Sequence, residues 1–212
     1  MPADIGLFEA IYTQKAIRRL KPDPVPDELV RKLIDAAIRA PSGGNRQPWA
    51  FVVIRDSDSK RKIGEWYLDA WNQTYGAIPE EARAQFRGSF ARTYRSAEHL
   101  AHHLAEAPVL ILVCASDVGV PGSAAAASMY GSIFPAVQNL LLAARGLELG
   151  AALTTLHKLH EADVKALLGI PDNVETVALI PVGYPAGKYG PASRRPVEEV
   201  LHTERWGTAA RP

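Results

Sequence analysis

Apolar residues recur along the chain at two different periods, and the switches between them mark the elements. Near the start, Leu7, Ala10 and Ile11 stand at helical spacing and predict a helix over residues 6–15. The segment that follows, LKPDPVPDE, holds three prolines, which forbid continuous helix and stiffen the connection. Leu29, Val30, Leu33, Ile34, Ala37 and Ile38 then make one stripe on a second helix, with Arg31, Lys32, Asp35 and Arg39 on its other face; Pro41 ends it. The β-branched run AFVVIR, residues 50–55, predicts a buried strand.

From residue 59 to 106 the pattern is helical but less clean, with Trp66, Tyr67, Trp71 and Tyr75 followed by a polar stretch holding Arg83, Arg87, Arg92 and Arg95. A second strand, VLILVCA, opens after Pro108. The small-residue patch PGSAAAAS leads into a long helix over residues 125–149, closed by Gly150 in the position a left-handed cap prefers. AALTTL reads as a third strand, residues 161–168 as a short helix, and VETVALIPVG as the fourth and clearest strand. Helices and strands mixed in one core mean an α+β or α/β layered fold. No repeat or linker divides the chain, so residues 1–212 are expected to form a single domain. Residues 59–106 would be a helical excursion or lid, and residues 185–212 an extended C-terminal arm.

Composition narrows the function by exclusion. Lys plus Arg number 24 against 23 Asp plus Glu, so bulk charge hints at neither nucleic acid nor membrane, and an anion site must come from local clustering. The longest apolar run, residues 108–115, is far short of a membrane span. The first ten residues, MPADIGLFEA, do not read as a secretory signal, and the only cysteine, Cys114, lies inside the apolar run. These features together point to the cytoplasm. No Gly-rich phosphate loop follows any predicted strand, which leaves a Rossmann nucleotide site without support.

Three segments carry candidate chemistry. QKAIRRL, residues 14–20, gathers Lys15, Arg18 and Arg19 at a helix end; arginines hold phosphate through paired hydrogen bonds, although a solvated basic helix end accounts for the cluster as well. PSGGNRQPW, residues 41–49, sets Ser42, Asn45 and Gln47 around Gly43 and Gly44, a loop suited to the edge of a flat polar ring; the alternative is a plain helix-to-strand turn, which does not need three amide and hydroxyl side chains around two glycines. ASRRPVEEV, residues 192–200, adds the pair Arg194 and Arg195, weak on its own.

Taken in register, the basic cluster, the P-S-x-x-N-x-Q-P-W loop, NLLLAARGLELGAALTTL and the R-R-P-x-E-E tail resemble the nitroreductase family, from about residue 7 to residue 200. The resemblance implies a three-layer α+β flavoprotein with a central, mostly antiparallel sheet flanked by helices. Its two subunits would intertwine as a homodimer with FMN at the interface. Gln14, Lys15, Arg19, Arg194 and Arg195 would then lie at the flavin phosphate and Arg18 at the pyrimidine edge of the ring. Ser42, Gly43, Asn45 and Gln47 would reach the flavin from the partner subunit, and Thr154, Thr155 and Leu156 would face the ring. Many relatives read basic-basic-Ser-x-Arg at the first motif; Gln14, Lys15 and Ala16 stand there instead, with one hydroxyl fewer for a phosphate.

The implied activity moves electrons from NADPH or NADH through FMN to a small acceptor such as a nitroaromatic or quinone, by a ping-pong mechanism. Alternatives are a family member acting on reduced flavin or a halogenated aromatic, and a flavin store or sensor with little turnover. No acid–base residue is named as catalytic, because the chemistry belongs to the cofactor. No metal site is expected: His102 and His103 are adjacent on a helix and point apart. His157 is either a substrate contact or an ordinary polar loop residue. The four aromatics of residues 66–75 line a pocket or pack a core or interface. The apolar helix over residues 136–149 is a candidate dimer surface.

Overall fold

Seven consecutive apolar residues can form a strand only where both faces and both edges are covered. In the computed structural model, which describes residues 5–116 and 123–208, that is where Val109–Ala115 lies: every residue of this strand is buried. Residues 1–4, Pro121 and Gly122 of the small-residue patch, and the last four residues of the arm lie outside the described residues. The strands are β1 (Trp49–Ile54), β2 (Val109–Ala115), β3 (Gly150–Ala151) and β4 (Glu175–Gly183), in the order β1-β2-β4-β3 with every pairing antiparallel. Side chains of β2 alternate between two cores. Val109, Ile111 and Val113 pack with helices α2 (Asp27–Ala37) and α6 (Ala124–Gly146). Leu110, Leu112 and Cys114 pack with α3 (Ser57–Gln73) and α5 (Gly88–His103). Helices on both faces of one sheet make the three-layer α+β fold expected from the sequence. Burial pushes the Cys114 thiol up to about 11, which keeps it inert.

The second core collects the aromatics of the middle segment. Tyr67, Trp71 and Tyr94 are buried beside Ile63, Leu100 and Leu104, and the short α4 (Glu80–Arg83) joins α3 to α5. The register shifts between Val113 and Cys114, so that neighbours Val177 and Ala178 both face the first core. Thr176 is left facing α7 (Glu161–Leu168), where the Glu161 carboxylate accepts from its amide and its hydroxyl, both at 2.8 Å.

Three expectations are corrected. First, the long helix ends at Gly146 and the left-handed residue after it is Glu148, with φ of 59°. Gly150 belongs instead to β3, where a Cβ would lie 2.7 Å from Ile17 Cγ2 and 2.8 Å from Leu20 Cδ2; the glycine is there for close approach. Second, the predicted strand over residues 151–156 shrinks to Gly150–Ala151 plus a single bridge from Thr154 to Leu179. Between those contacts β4 presents Pro181, which has no amide hydrogen to give to the ladder. Third, residues 136–149 are not a free apolar surface, since Ala136, Val137, Leu140 and Ala144 are buried in this chain's own core. Exposed apolar side chains include Leu7, Phe8 and Tyr12 on α1 (Leu7–Thr13), each about two-thirds exposed, Tyr75, Phe90 and Phe134 in the middle of the chain, and Val197, Val200 and Trp206 on the tail.

Gly150→Ala is predicted to destabilise the fold by about 1–3 kcal/mol, because Ile17 and Leu20 must both shift to admit the methyl group. Urea unfolding measures this, and an unchanged midpoint would contradict the close approach.

Candidate functional site

The basic segment near residue 14 is laced between the sheet edge and the tail. The Ile17 amide donates to the Ala151 carbonyl at 2.9 Å, which docks the segment on β3. On its other side the tail runs back antiparallel: Lys21 N–H to Tyr184 O, Ala186 N–H to Arg19 O and Ala192 N–H to Tyr12 O span 2.8–3.0 Å. Lys15 therefore lies against the tail, where a Cβ built on Gly190 would be 3.8 Å from its Nζ. Arg194 and Arg195 follow Ala192 within three residues, both exposed, and Arg194 donates to the Ser193 carbonyl at 2.8 Å. Gln14 is half-buried at the end of α1, its amide donating to Ala10 O. Among the described residues none of Lys15, Arg18, Arg19, Arg194 and Arg195 has a carboxylate partner, whereas Lys32, Arg39, Arg61, Arg145 and Lys158 all do. Cations without carboxylate partners on two hydrogen-bonded segments leave positive charge free for an anion.

Next to them is a cavity of about 300 Å³. Its floor is Arg18 with Leu153, Thr154, Thr155 and Leu156. Its walls are aromatic: Tyr67 and Trp71 one turn apart on α3, Tyr75 just beyond, and Phe90 and Tyr94 one turn apart on α5. Trp66 points elsewhere and stacks on His160, so the run of aromatics divides between a pocket and a surface contact. The Tyr67 hydroxyl and Thr154 Oγ1 share a hydrogen bond of 2.7 Å that ties α3 to the loop after β3. Burial lowers the Arg18 pKa from its usual value, the Tyr67 phenol opposing that, and an arginine remains a cation at neutral pH regardless. Burial likewise raises the Tyr67 pKa, against its bond to Thr154 and the Arg18 charge.

The glycine loop is elsewhere in the chain. Ser42, Gly43, Asn45 and Gln47 form a tight turn against α6, and none of them lines the Arg18 cavity. Gly43 donates to Ser132 Oγ at 3.2 Å and has no room for a Cβ beside Ser128. Gln47 N–H donates to Ser42 Oγ at 3.1 Å. Gly44, Asn45 and Gln47 all have positive φ, at 59°, 54° and 51°; for the two non-glycines this costs about 1 kcal/mol or more each. A plain connection from helix to strand does not need that strain. The side chains of Asn45 and Gln47 are exposed, open to a partner outside the chain.

A family model described as the Nitroreductase family matches residues 11–184. The chain belongs to the nitroreductase family. An NADH dehydrogenase of Thermus thermophilus is 32% identical over 205 residues, covering 91% of this chain and 93% of that protein. An iodotyrosine deiodinase of Nematostella vectensis is 27% identical over 198 residues, covering 92% and 73%. Among solved nitroreductase-fold structures, an oxidized iodotyrosine deiodinase bound to FMN and 3-iodo-L-tyrosine superposes with a TM-score of 0.70 at 26% identity, covering 96% and 100%.

For a nitroreductase-family chain the two halves of the site have distinct visibility in sequence. Arg18 and Thr154–Leu156, far apart in the chain, meet in one cavity, and the first basic segment meets the tail. Phe90, Thr93, Tyr94 and Ala97 were not singled out, although their spacing puts them on one face of α5. His157 is neither a substrate contact nor an ordinary polar loop residue: it is 1% exposed, does not line the cavity, and sits against the Thr176 backbone. Burial, with the Lys158 charge adding to it, lowers its pKa to about 4. No helix among the described residues is long and apolar enough to cross a membrane, and none of them form a cluster of metal-binding side chains.

His157 makes stability depend on pH. The unfolded chain takes up this proton near pH 6.5, while the folded chain resists until about pH 4. Its contribution is therefore fully present above pH 6.5 and lost as pH falls to 4, up to about 3 kcal/mol. His157→Phe is predicted to flatten that part of the stability profile relative to the natural chain; an equal slope in both proteins would show that His157 titrates normally.

Proposed function

We propose that the chain is an FMN-dependent oxidoreductase that passes electrons from NADH or NADPH to a small electron-poor acceptor, and that it works as a homodimer. The carrying observation is the partly buried Arg18, without a carboxylate partner among the described residues, at the floor of an aromatic cavity, on a segment to which the tail bearing Arg194 and Arg195 is hydrogen-bonded. Such a site suits a planar molecule bearing negative charge. Family membership and a solved relative bound to FMN support the choice of flavin, and the Thermus relative's name supports a nicotinamide donor.

In this reading Lys15, Arg19, Arg194 and Arg195 hold the flavin phosphate, with Gln14 beside them. Arg18 meets the pyrimidine edge, where its charge stabilises negative charge gained on reduction. Thr154, Thr155 and Leu156 face the ring, and the walls from α3 and α5 exclude water and stack an aromatic acceptor. Ser42, Gly43, Asn45 and Gln47 serve the site of the other subunit, since within one chain they lie at a separate cleft. The exposed apolar face of α1 and the apolar tail residues give the second copy its surface. The chemistry that bound FMN supplies is acceptance of a hydride from the donor and release of electrons to the acceptor, in two half-reactions sharing one pocket. The protein lies in the cytoplasm in this reading.

The deiodinase relatives favour a second reading, reductive removal of halogen from an aromatic. Anaerobic turnover with NADH or NADPH separates the two. The first reading predicts that a nitroaromatic or quinone is consumed at least about tenfold faster, as kcat/KM, than 3-iodo-L-tyrosine. Release of iodide as the faster reaction would replace the first reading with the second, and flavin that is reduced but passes electrons to no acceptor would point to a store or sensor.

A further inference from the structure

The last turn of α6 carries a charge where its neighbours are apolar. Arg145 is 8% exposed, between core residues Ala144 and Leu149. Its Nε donates to the Thr13 hydroxyl at 2.8 Å, and its Nη2 lies 3.4 Å from the Glu9 carboxylate. On another side its guanidinium sits 4.3 Å from the centroid of the Tyr189 ring. Burial pushes the Tyr189 phenol up to about 12, so it stays neutral and donates to the Leu149 carbonyl. One buried side chain thus grips α1 and the C-terminal tail together against the end of α6.

The two gripped points are not arbitrary. Thr13 is the last residue of α1, two positions before Lys15. Tyr189 precedes Gly190, where a Cβ would lie 3.8 Å from Lys15 Nζ, and stands five positions before Arg194. A side chain that only filled space here would be apolar, because desolvating a guanidinium is costly. Arginine's planar fork instead meets a hydroxyl, a carboxylate and a ring at fixed angles, which a flexible lysine does not reproduce.

We infer that Arg145 is a positioning residue for the flavin phosphate, holding Lys15 and the Arg194–Arg195 pair in mutual register. The inference rests on the proposed reading that those cations hold the phosphate. Arg145 itself lies behind them and touches no ligand. Without it Thr13, Glu9 and Tyr189 lose their common partner, and the two cationic segments are held together by backbone hydrogen bonds alone.

The experiment compares FMN with riboflavin, which has the same ring and no phosphate, by fluorescence titration of the full-length chain. The natural chain binds FMN more tightly than riboflavin. In Arg145→Met that preference falls by about tenfold or more while riboflavin affinity holds within about twofold, and Arg145→Lys recovers only part of it. Thr13→Val, which removes the Nε acceptor at nearly constant shape, lowers the preference in the same direction and serves if Arg145→Met does not fold. A full FMN preference in folded Arg145→Met or Thr13→Val, or equal losses for both flavins, overturns the inference and leaves the phosphate reading standing. Equal binding of the two flavins by the natural chain overturns the phosphate reading, and the inference with it.

Discussion

Ile17 and Leu20 rest on the bare backbone of Gly150, and the Ile17 amide closes onto the Ala151 carbonyl. This contact turns the segment between α1 and the proline-rich connection into a strap along the edge of the sheet. With Ile17 and Leu20 committed to the sheet, Arg18 reaches the cavity floor beside Thr154, while the outer side of the strap receives the tail. A side chain at position 150 would push Ile17 and Leu20 away from the sheet and strain the strap against it. The place of Arg18 on the cavity floor depends on this close approach.

The sheet supplies the rigidity this arrangement needs. Because β2 is buried on both faces, the cores on its two sides are coupled through seven residues that have no free face. One core, with α2 and α6, carries Arg145 at its rim and the glycine loop against Ser128 and Ser132. The other, with α3 and α5, carries the aromatic walls. The Tyr67–Thr154 hydrogen bond joins those walls to the cavity floor. The basic segment and the aromatic walls thus come from different parts of the fold and meet at Arg18 and the loop after β3.

Much of this was legible because it follows from periodicity and local chemistry. The stripe on α2, the strand VLILVCA and the run VETVALIPVG were assigned correctly, and the motifs in register identified the family. What failed depended on contacts distant in sequence. Gly150 looks like a helix cap in one dimension; only the arrival of Ile17 and Leu20 shows why a side chain is excluded. AALTTL has the composition of a strand, but its partner presents Pro181. The helix over residues 136–149 reads as an apolar surface because sequence does not say which apolar face the chain itself consumes. His157 and Arg145 look like ordinary polar residues, and their burial is a property of packing. The proposed division of labour between two copies rests on motif resemblance and has no signature in spacing.

The central claim is that this chain binds a flavin and cycles it with a nicotinamide donor. The most direct measurement is the absorbance spectrum of the purified protein, reconstituted with FMN if needed, followed by anaerobic addition of NADPH and then NADH. The account predicts a protein-bound flavin spectrum that bleaches on addition of one or both donors. Absence of bound flavin after reconstitution, or a bound flavin that neither donor reduces, would contradict it.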